Sequence, residues 1–138
     1  IIMSEEFEQI SKVSGFMRHN GGLYFRKISE NFYEFKTTIN DLHLNKRGIT
    51  HGGFVCTLID AGAGTAVYRS TNRQSCVTVS LDVKFIAPTL KGDEIIGNVE
   101  ILKKTKSMVF VDCKIKKKSQ IVAQASGVWK VFKKWLVF

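Results

Sequence analysis

The stretch "GITHGGFVCTLIDAGAGTA", residues 48–66, places a glycine pair ahead of a long apolar segment that contains one aspartate. Its length and apolar content predict a helix that begins at Gly52 and Gly53 and ends near Arg69. Three large side chains on this helix are expected to fill the core: Phe54, Leu58 and Ile59. We therefore expect it to be the central helix of the fold.

The aspartate, Asp60, lies on a face of this helix made mostly of small side chains, where a buried carboxylate is costly. At 3.6 residues per turn, that face also carries Gly53, Cys56, Thr57, Ala63, Gly64 and Val67. Glycine inside a helix costs roughly 0.5–1 kcal/mol relative to alanine, so Gly62 and Gly64 indicate a packing or functional reason. Asp60 is either a catalytic carboxylate or a side chain that bonds a neighbouring hydroxyl or basic group and specifies an interface.

The segment after the helix alternates between apolar and polar residues, which is typical of a half-buried strand. In "CVTVSLDVKF", residues 76–85, we expect one face to carry Val77, Val79, Leu81, Val83 and Phe85, and the other to carry Thr78, Ser80, Asp82 and Lys84. Three more strands follow Pro88, in "EIIGNVEILKK", "SMVFVDCKIKKK" and "QIVAQASGVWKVF". The short turns between them predict antiparallel neighbours.

Upstream, "SEEFEQISKVSGFMRH", residues 4–19, has apolar residues at a helical spacing, with Ser4 as a cap and Gly21–Gly22 as a stop. "LYFRKISENFYEFKTTI" predicts two strands around a turn at residues 29–31, and residues 40–50 predict a polar loop. The order predicts one α+β domain over residues 1–138, with a twisted antiparallel sheet laid against the central helix. The ending "KKWLVF" is expected to form an edge or interface segment.

The composition indicates a globular protein but does not choose its partner. The chain carries 21 Lys and Arg against 12 Asp and Glu, a net charge of +9 that attracts anions in general. No apolar run reaches the roughly 18 residues that cross a membrane, so no membrane insertion is expected. The amino-terminal residues lack the layout of a secretory signal, and we expect a cytoplasmic protein. The three cysteines lack metal-ligand spacing; we expect reduced core residues and no metal site.

The start of the central helix has its own chemistry. Unpaired backbone N–H groups at Gly52 and Gly53 lie at the positive end of the helix dipole. Because neither residue has a Cβ, a carbonyl oxygen can come close, which is the geometry of an oxyanion hole for a thioester or ester. His51 cannot meet Asp60 within one helix, since nine residues separate them by about 13 Å and turn them to opposite sides. Asp60 must therefore meet its partners from another element or another subunit.

Taken together, these residues resemble the hotdog-fold acyl-CoA thioesterases, in particular the phenylacetyl-CoA thioesterase-like, thioesterase superfamily member two-like branch. The matching signature is Asn45, then His51-Gly52-Gly53, then Leu58-Ile59-Asp60, followed by "TVSLDVKFIAP" from Thr78 to Pro88. The resemblance covers about residues 32–132 and implies a hotdog fold, in which a curved antiparallel sheet wraps around the central helix. It also implies a homo-oligomer, either a dimer or a dimer of dimers, whose active sites lie at the subunit boundary.

The resemblance implies a catalytic role for five positions. Asp60 corresponds to the catalytic carboxylate, acting as a general base or as a nucleophile, and Gly52 to the backbone donor that polarises the thioester carbonyl. Asn45 corresponds to the amide that orients the substrate or water, and His51 supports that arrangement. Thr78 corresponds to the hydroxyl beside the carboxylate.

Further positions are expected to contact the substrate. Gly53 lies at the helix start, and Ser80, on the same predicted strand face as Thr78, should line the same channel, although many relatives carry a carboxylate there. The basic turn "KKTKSM" lies where relatives hold the coenzyme A phosphates, and its expected contacts are Lys103, Lys104, Lys106 and Ser107. The acyl-CoA thioester is the substrate, and no cofactor is implied.

Most of these positions also have a purely structural interpretation. Asn45 can cap a loop, and His51 can cap the helix. Thr78 and Ser80 suit any exposed strand face, and a lysine-rich hairpin is usually a solvated turn.

The sequence therefore favours hydrolysis of an acyl-CoA to a free acid and coenzyme A. One alternative is a hotdog domain that binds acyl-CoA without cleaving it. Another is a dehydratase-type hotdog enzyme, whose Asp/His pair is more closely spaced than His51 and Asp60. A nucleic-acid-binding domain rests on charge alone and lacks a recognition helix or an aromatic and basic recognition strand, so no nucleic-acid partner is expected.

Overall fold

A long helix, α2 (Gly52–Ser70), packs against one face of an antiparallel sheet in the computed structural model, which describes residues 4–133. Within that range the sheet has seven strands: β1 (Glu8–Gln9), β2 (Tyr24–Ser29), β3 (Phe32–Thr38), β4 (Cys76–Phe85), β5 (Glu94–Lys104), β6 (Met108–Lys117) and β7 (Gln120–Val131). Two short helical elements complete it, α1 (Phe16–His19) and a 3₁₀ turn at Asp41–His43.

The strands follow the order β1-β2-β3-β5-β6-β7-β4, and every neighbouring pair is antiparallel. The sheet curves around α2, which contacts strands β3 to β7. This arrangement confirms the predicted α+β hotdog fold, and β2 to β7 lie where the sequence predicts them. Strand β4 follows α2 in the chain. Because it pairs only with β7 among the strands described, it forms one edge of the sheet.

The inner face of the sheet is apolar along all its long central strands. Alternate residues of β5, β6 and β7 are buried there, as a period of two requires. The helix contributes its own buried side, which includes the three residues predicted to fill the core: Phe54, Leu58 and Ile59. The core therefore lies between α2 and the concave side of the sheet.

The glycine at position 62 is explained by packing. The fully buried ring of Phe35, on β3, occupies the space where a Cβ on Gly62 or on Gly97 of β5 would stand. Any side chain at either glycine would overlap the ring, which is enclosed on both sides. Gly64 faces Trp129 in a looser way, since a Cβ there would lie 3.3 Å from the indole Nε1. The glycines thus let α2 approach the sheet closely.

The predicted amino-terminal helix is wrong. The backbone of β1 pairs with β2, and the Ile10 N–H donates to the carbonyl of Leu23 at 3.0 Å, so this segment extends the sheet. Only the single turn α1 is helical, and it ends before Gly21 and Gly22, whose φ angles are 98° and 77°. Of the apolar residues whose spacing suggested a helix, Ile10 and Met17 pack against the core. The hydrogen-bond and packing partners of this segment therefore lie in other elements, and the helical spacing of its apolar residues does not determine its structure. Residues 134–138 of the predicted edge segment lie outside the described range.

The predicted faces of β4 are wrong at its beginning because the strand contains a β-bulge. Thr78 pairs with Trp129 of β7 and Ser80 pairs with the next residue, Val128, so Val79 is the extra residue. Paired residues of an antiparallel ladder project to the same side of the sheet, and neighbours along a strand project to opposite sides. Thr78 therefore faces inward with the buried Trp129, and Ser80 faces outward.

The same bulge corrects the assignment of the apolar residues of β4. Leu81 pairs with Gly127 and therefore lies on the inner face, as predicted. Val77 pairs with the exposed Lys130 and faces outward. The alternation in the sequence is uninterrupted, but the strand consists of two segments separated by the extra residue Val79. Of the alternating apolar residues, Val77 before the bulge faces outward, and those after it face inward.

The Gly62→Ala variant tests the close approach of α2 to the sheet. Alanine favours helix formation, but its methyl group overlaps the enclosed Phe35 ring, and overpacking of this kind costs about 1–3 kcal/mol. We expect a net loss of unfolding free energy in a denaturant titration, partly recovered when Phe35→Leu is added. Gly64→Ala is the matched control and should change stability less. A Gly62→Ala protein as stable as the wild type would contradict the packing account.

Candidate active site

Helix α2 and the edge strand β4 lie side by side and run in opposite directions. Three contacts along their length show this alignment: Cys76 with Gly64, Thr78 with Asp60, and Phe85 with Gly52. The end of β4 that carries Thr78 is therefore beside the middle of the helix, and the other end is beside the helix start. All of these groups lie at the open edge of the sheet.

Asp60 is exposed in the single chain, and its expected place at a boundary between two subunits stays a prediction. The Thr78 hydroxyl donates to Oδ1 of Asp60 at 2.6 Å. Burial raises the pKa of the neighbouring Cys76 thiol, and the negative charge of Asp60 raises it further. The structure thus brings together Asp60 and Thr78, and the hydrogen bond engages one of the two carboxylate oxygens.

Asp60 does not meet the helix start of its own chain. The eight residues from Gly52 to Asp60 correspond to about 12 Å along α2. The carboxylate and the predicted backbone donor therefore cannot contact one thioester carbonyl within a single chain.

His51 forms the amino-terminal cap of α2. Its Nδ1 accepts a hydrogen bond from the Gly53 N–H at 2.8 Å, and its own N–H donates to the carbonyl of His43 at 2.7 Å. A Cβ on Gly53 would lie 2.9 Å from that Nδ1, so a side chain at this position would displace the capping imidazole. Of the two predicted donors, Gly53 is thus engaged, while the Gly52 N–H has no acceptor among residues 4–133.

Asn45 holds the loop that leads into the helix. Its Oδ1 accepts from the backbone N–H of Arg47 at 2.9 Å and of Ile49 at 3.3 Å. Within the described range its Nδ2 has no acceptor and remains available. The loop-capping interpretation is therefore confirmed for the oxygen, and the orienting role of the amide nitrogen stays a prediction.

His43 is a structural residue at the helix start that the sequence interpretation did not single out. It is 1% exposed and stacks on Phe54, with ring centroids 3.7 Å apart. Because Nδ1 accepts from the Asn40 N–H at 3.0 Å, Nε2 carries the proton and donates to the Asn20 carbonyl at 2.7 Å. The signal in the sequence was Asn40 three residues ahead, since the two side chains form a capping box.

The basic turn between β5 and β6 lies at the opposite end of α2. Lys104 Nζ donates to the carbonyl of Ser70 at 2.9 Å, where a cation complements the helix dipole. Lys103 and Lys106 are exposed, and Ser107 accepts the Val131 N–H through its carbonyl at 2.8 Å. The turn is thus about 15 Å along the helix from Asp60 and about 27 Å from the helix start.

The outward-facing Ser80 is not on the same side of the sheet as Thr78, so the predicted shared strand face is wrong, and contact of Ser80 with the substrate stays a prediction. Phe85 is on the inner side and its ring lies over Gly52, an arrangement that the sequence pattern did not reveal. Within residues 4–133, no three His, Cys, Asp or Glu side chains are arranged to hold a metal ion. No helix of the described chain has the length and apolar character needed to cross a membrane.

Comparison with known proteins identifies the family. Residues 47–124, more than half of the chain, match the model of the Thioesterase superfamily. The chain belongs to this superfamily. The matched residues include the whole of α2 and β4, which carry the candidate site.

Curated relatives agree with this assignment, and solved structures show the same fold. Acyl-coenzyme A thioesterase 13 of Homo sapiens is 23% identical over 124 residues, which cover 88% of this chain and 89% of that protein. Its counterpart in Mus musculus is 31% identical over 88 residues, or 62% and 63% of the two chains. The crystal structure of zebrafish thioesterase superfamily member 2 covers 88% of this chain and 90% of its own, with a TM-score of 0.79 and 19% identity. A hypothetical thioesterase protein of Streptococcus pneumoniae, solved with coenzyme A, gives a TM-score of 0.74 at 20% identity and covers 80% of this chain and 86% of its own. Both structures share the hotdog fold.

The His51→Ala variant tests the helix cap. Loss of the Nδ1 acceptor leaves the Gly53 N–H unsatisfied, and removal of such a cap costs about 1 kcal/mol. We expect this loss of unfolding free energy in chemical denaturation, with His51→Asn restoring most of it. His19→Ala, which removes an exposed imidazole elsewhere, is the matched control. Equal stability of the two alanine variants would show that the cap is dispensable.

Proposed function

We propose that this protein hydrolyses acyl-CoA thioesters to a free acid and coenzyme A, at a site formed by two chains of a homodimer. Its membership of the thioesterase superfamily supports hydrolysis. The observation that carries the two-chain site is the opposite direction of α2 and β4 at an open sheet edge. That alignment sets the carboxylate and the backbone donor at opposite ends of one strand.

A second copy that adds to the β4 edge completes the site. Edge strands present unpaired backbone groups, and β4 also exposes apolar side chains, with Val79 and Phe85 55% and 59% exposed. Antiparallel pairing of β4 with its copy, related by a two-fold axis, places the Thr78 end of one strand beside the Phe85 end of the other. Asp60 of one chain then approaches Gly52 of its partner. Two such dimers can associate into the homotetramer that the resemblance implies, but the site needs only the dimer.

The chemistry follows from these groups. The Gly52 N–H has no acceptor within residues 4–133, so it can donate to the thioester oxygen. This hydrogen bond stabilises the negative charge that develops on that oxygen. Asp60 of the other chain takes a proton from water as the water oxygen bonds to the carbonyl carbon; the C–S bond then breaks and the thiolate leaves and is protonated. In the nucleophilic route, the carboxylate itself attacks this carbon, the C–S bond breaks and the thiolate leaves and is protonated, and water then cleaves the resulting anhydride. In both routes the Thr78 hydroxyl holds Oδ1 and leaves the second oxygen to react.

The basic turn supports binding of the coenzyme A phosphates. Lys103 and Lys106 are exposed at the carboxy-terminal end of α2, about 15 Å along the helix from Asp60. A thioester at Asp60 can thus extend its pantetheine arm toward these cations. Lys104 is already bonded to Ser70, so it contributes through its charge.

The Asp60→Asn variant tests the carboxylate. Asparagine retains the shape but cannot accept the proton, so we expect turnover to fall by about 100-fold or more while the fold is unchanged. The measurement is thiol release from a panel of acyl-CoAs, with circular dichroism as a check on folding. Asp82→Asn, which changes an exposed carboxylate on the outer face of β4, is the control and should keep full activity. Unchanged hydrolysis by Asp60→Asn would remove this residue from the mechanism, and wild-type binding without thiol release would favour a binding domain.

A mixing experiment tests the two-chain site. Gly52 is the first residue of α2, where proline is tolerated, and His51 has φ −62° and ψ 132°, which suit a residue before proline. Gly52→Pro therefore removes the N–H and keeps the helix, while Gly52→Ala adds a Cβ and keeps the N–H. Each of Gly52→Pro and Asp60→Asn alone should be inactive.

When these two inactive variants are unfolded together and refolded, half of the dimers contain one chain of each. Each mixed dimer has one site with both groups intact, so about a quarter of wild-type activity should return. Gly52→Ala, which keeps the donor, should retain more activity than Gly52→Pro. Failure of the mixture to recover activity would contradict a site shared between chains.

A further inference from the structure

We infer that Phe85 is a specificity-determining residue whose ring forms the wall against which the acyl chain packs, next to the carbonyl held by Gly52. The inference rests on the proposed thioesterase function and adds the class of acyl group that the site favours. Acyl groups with apolar carbons beyond the second carbon reach this ring, whereas an acetyl group is too short.

The position of the ring is the first observation. A Cβ built on Gly52 would lie 3.3 Å from Cε1 and 3.5 Å from Cζ of Phe85. The ring therefore lies directly on the backbone whose N–H lacks an acceptor in the described chain. An oxygen bound to that N–H has the aromatic ring as its immediate neighbour, and this excludes water from one side of the carbonyl.

The backbone that carries the ring is held in place by β7. Phe85 pairs with the buried Ala123 of β7, which fixes its inward direction. The next two N–H groups, of Ile86 and Ala87, both donate to the carbonyl of Val122, at 2.9 and 3.1 Å. A preformed apolar wall of this kind contacts a ligand without first having to be ordered.

The exposure of the ring is the second observation. Phe85 is 59% exposed in the single chain although it points toward the helix, because β4 is the edge strand. Ile86 and Leu90 are 56% and 49% exposed and extend the apolar surface. The segment that carries them is tied to the helix start, since the Thr50 N–H donates to the Thr89 carbonyl at 2.9 Å. The apolar surface and the backbone donor thus form one rigid unit.

This placement has a consequence for selectivity. An acyl group whose carbonyl is bound at Gly52 directs its following carbons along the ring, where each buried methylene contributes to binding. Differences of one methylene in an apolar pocket change kcat/KM by about 10–200-fold. We therefore expect the preference for longer over shorter acyl groups to depend on the aromatic ring.

The test compares Phe85→Ala and Phe85→Leu with the wild type on acetyl-, butyryl-, hexanoyl- and octanoyl-CoA. For Phe85→Ala, the ratio of kcat/KM for octanoyl-CoA to that for acetyl-CoA should fall about tenfold or more. Phe85→Leu, which keeps an apolar side chain, should retain most of the ratio. Phe110→Ala is the matched control, because this phenylalanine is 39% exposed and its partner Val128 is on the outer face.

Two outcomes would overturn the inference while the thioesterase function stands. One is an unchanged ratio in Phe85→Ala. The other is an equal loss for all four substrates together with dissociation of the dimer in sedimentation velocity, which would make the ring a subunit contact only.

A wild-type protein that releases no thiol from any of these substrates would instead refute the proposed function. The inference is then decided by binding of the matching non-hydrolysable acyl-CoA thioethers, measured by calorimetry. An affinity that increases with chain length in the wild type and not in Phe85→Ala supports the wall. An affinity with the same dependence in both proteins refutes it.

Discussion

The ring of Phe35 between two glycines is the contact on which the rest of the structure depends. Gly62 of α2 and Gly97 of β5 leave space for this ring, and it is buried completely. Burial of a phenylalanine side chain contributes roughly 1.5–3 kcal/mol, which exceeds the helix propensity lost at Gly62, about 1 kcal/mol. The same contact sets the distance of α2 from the sheet. That distance in turn brings Asp60 within hydrogen-bonding range of Thr78 and places Gly52 beneath Phe85.

The helix start divides its polar atoms between structure and chemistry. Nδ1 of His51 and Oδ1 of Asn45 are occupied by backbone N–H groups, so these atoms shape the loop and the helix terminus. The buried His43 supports the same region through four hydrogen bonds to backbone groups, two made by its ring and two by its own main chain. Within residues 4–133, the Gly52 N–H and the amide nitrogen of Asn45 have no acceptor. A rigid frame with few uncommitted groups is typical of preorganised catalytic sites.

The sequence predicts most of the fold because its signals are local and agree with one another. Alternation locates the long strands, the small-residue segment locates α2, and the spacing of the family signature brings Asp60 and Thr78 together. It fails for residues 4–19, where the apolar residues contact different elements and a strand pairing replaces the helix. It also does not reveal the contact of Phe85 with Gly52, which joins residues 33 positions apart. These pairings and contacts depend on the order of the strands in the sheet, which the local sequence pattern does not specify.

The extra residue Val79 has a consequence for the geometry of the whole edge. Thr78 and Phe85 are seven positions apart, and in a regular strand an odd separation puts two side chains on opposite sides of the sheet. The bulge shifts the pleat by half a period, so the hydroxyl and the aromatic ring point the same way. A relative that lacks this irregularity would have to space the two groups by an even number to present them together. The number of residues between two positions of a strand therefore predicts whether their side chains share a face only when the position of any bulge between them is known.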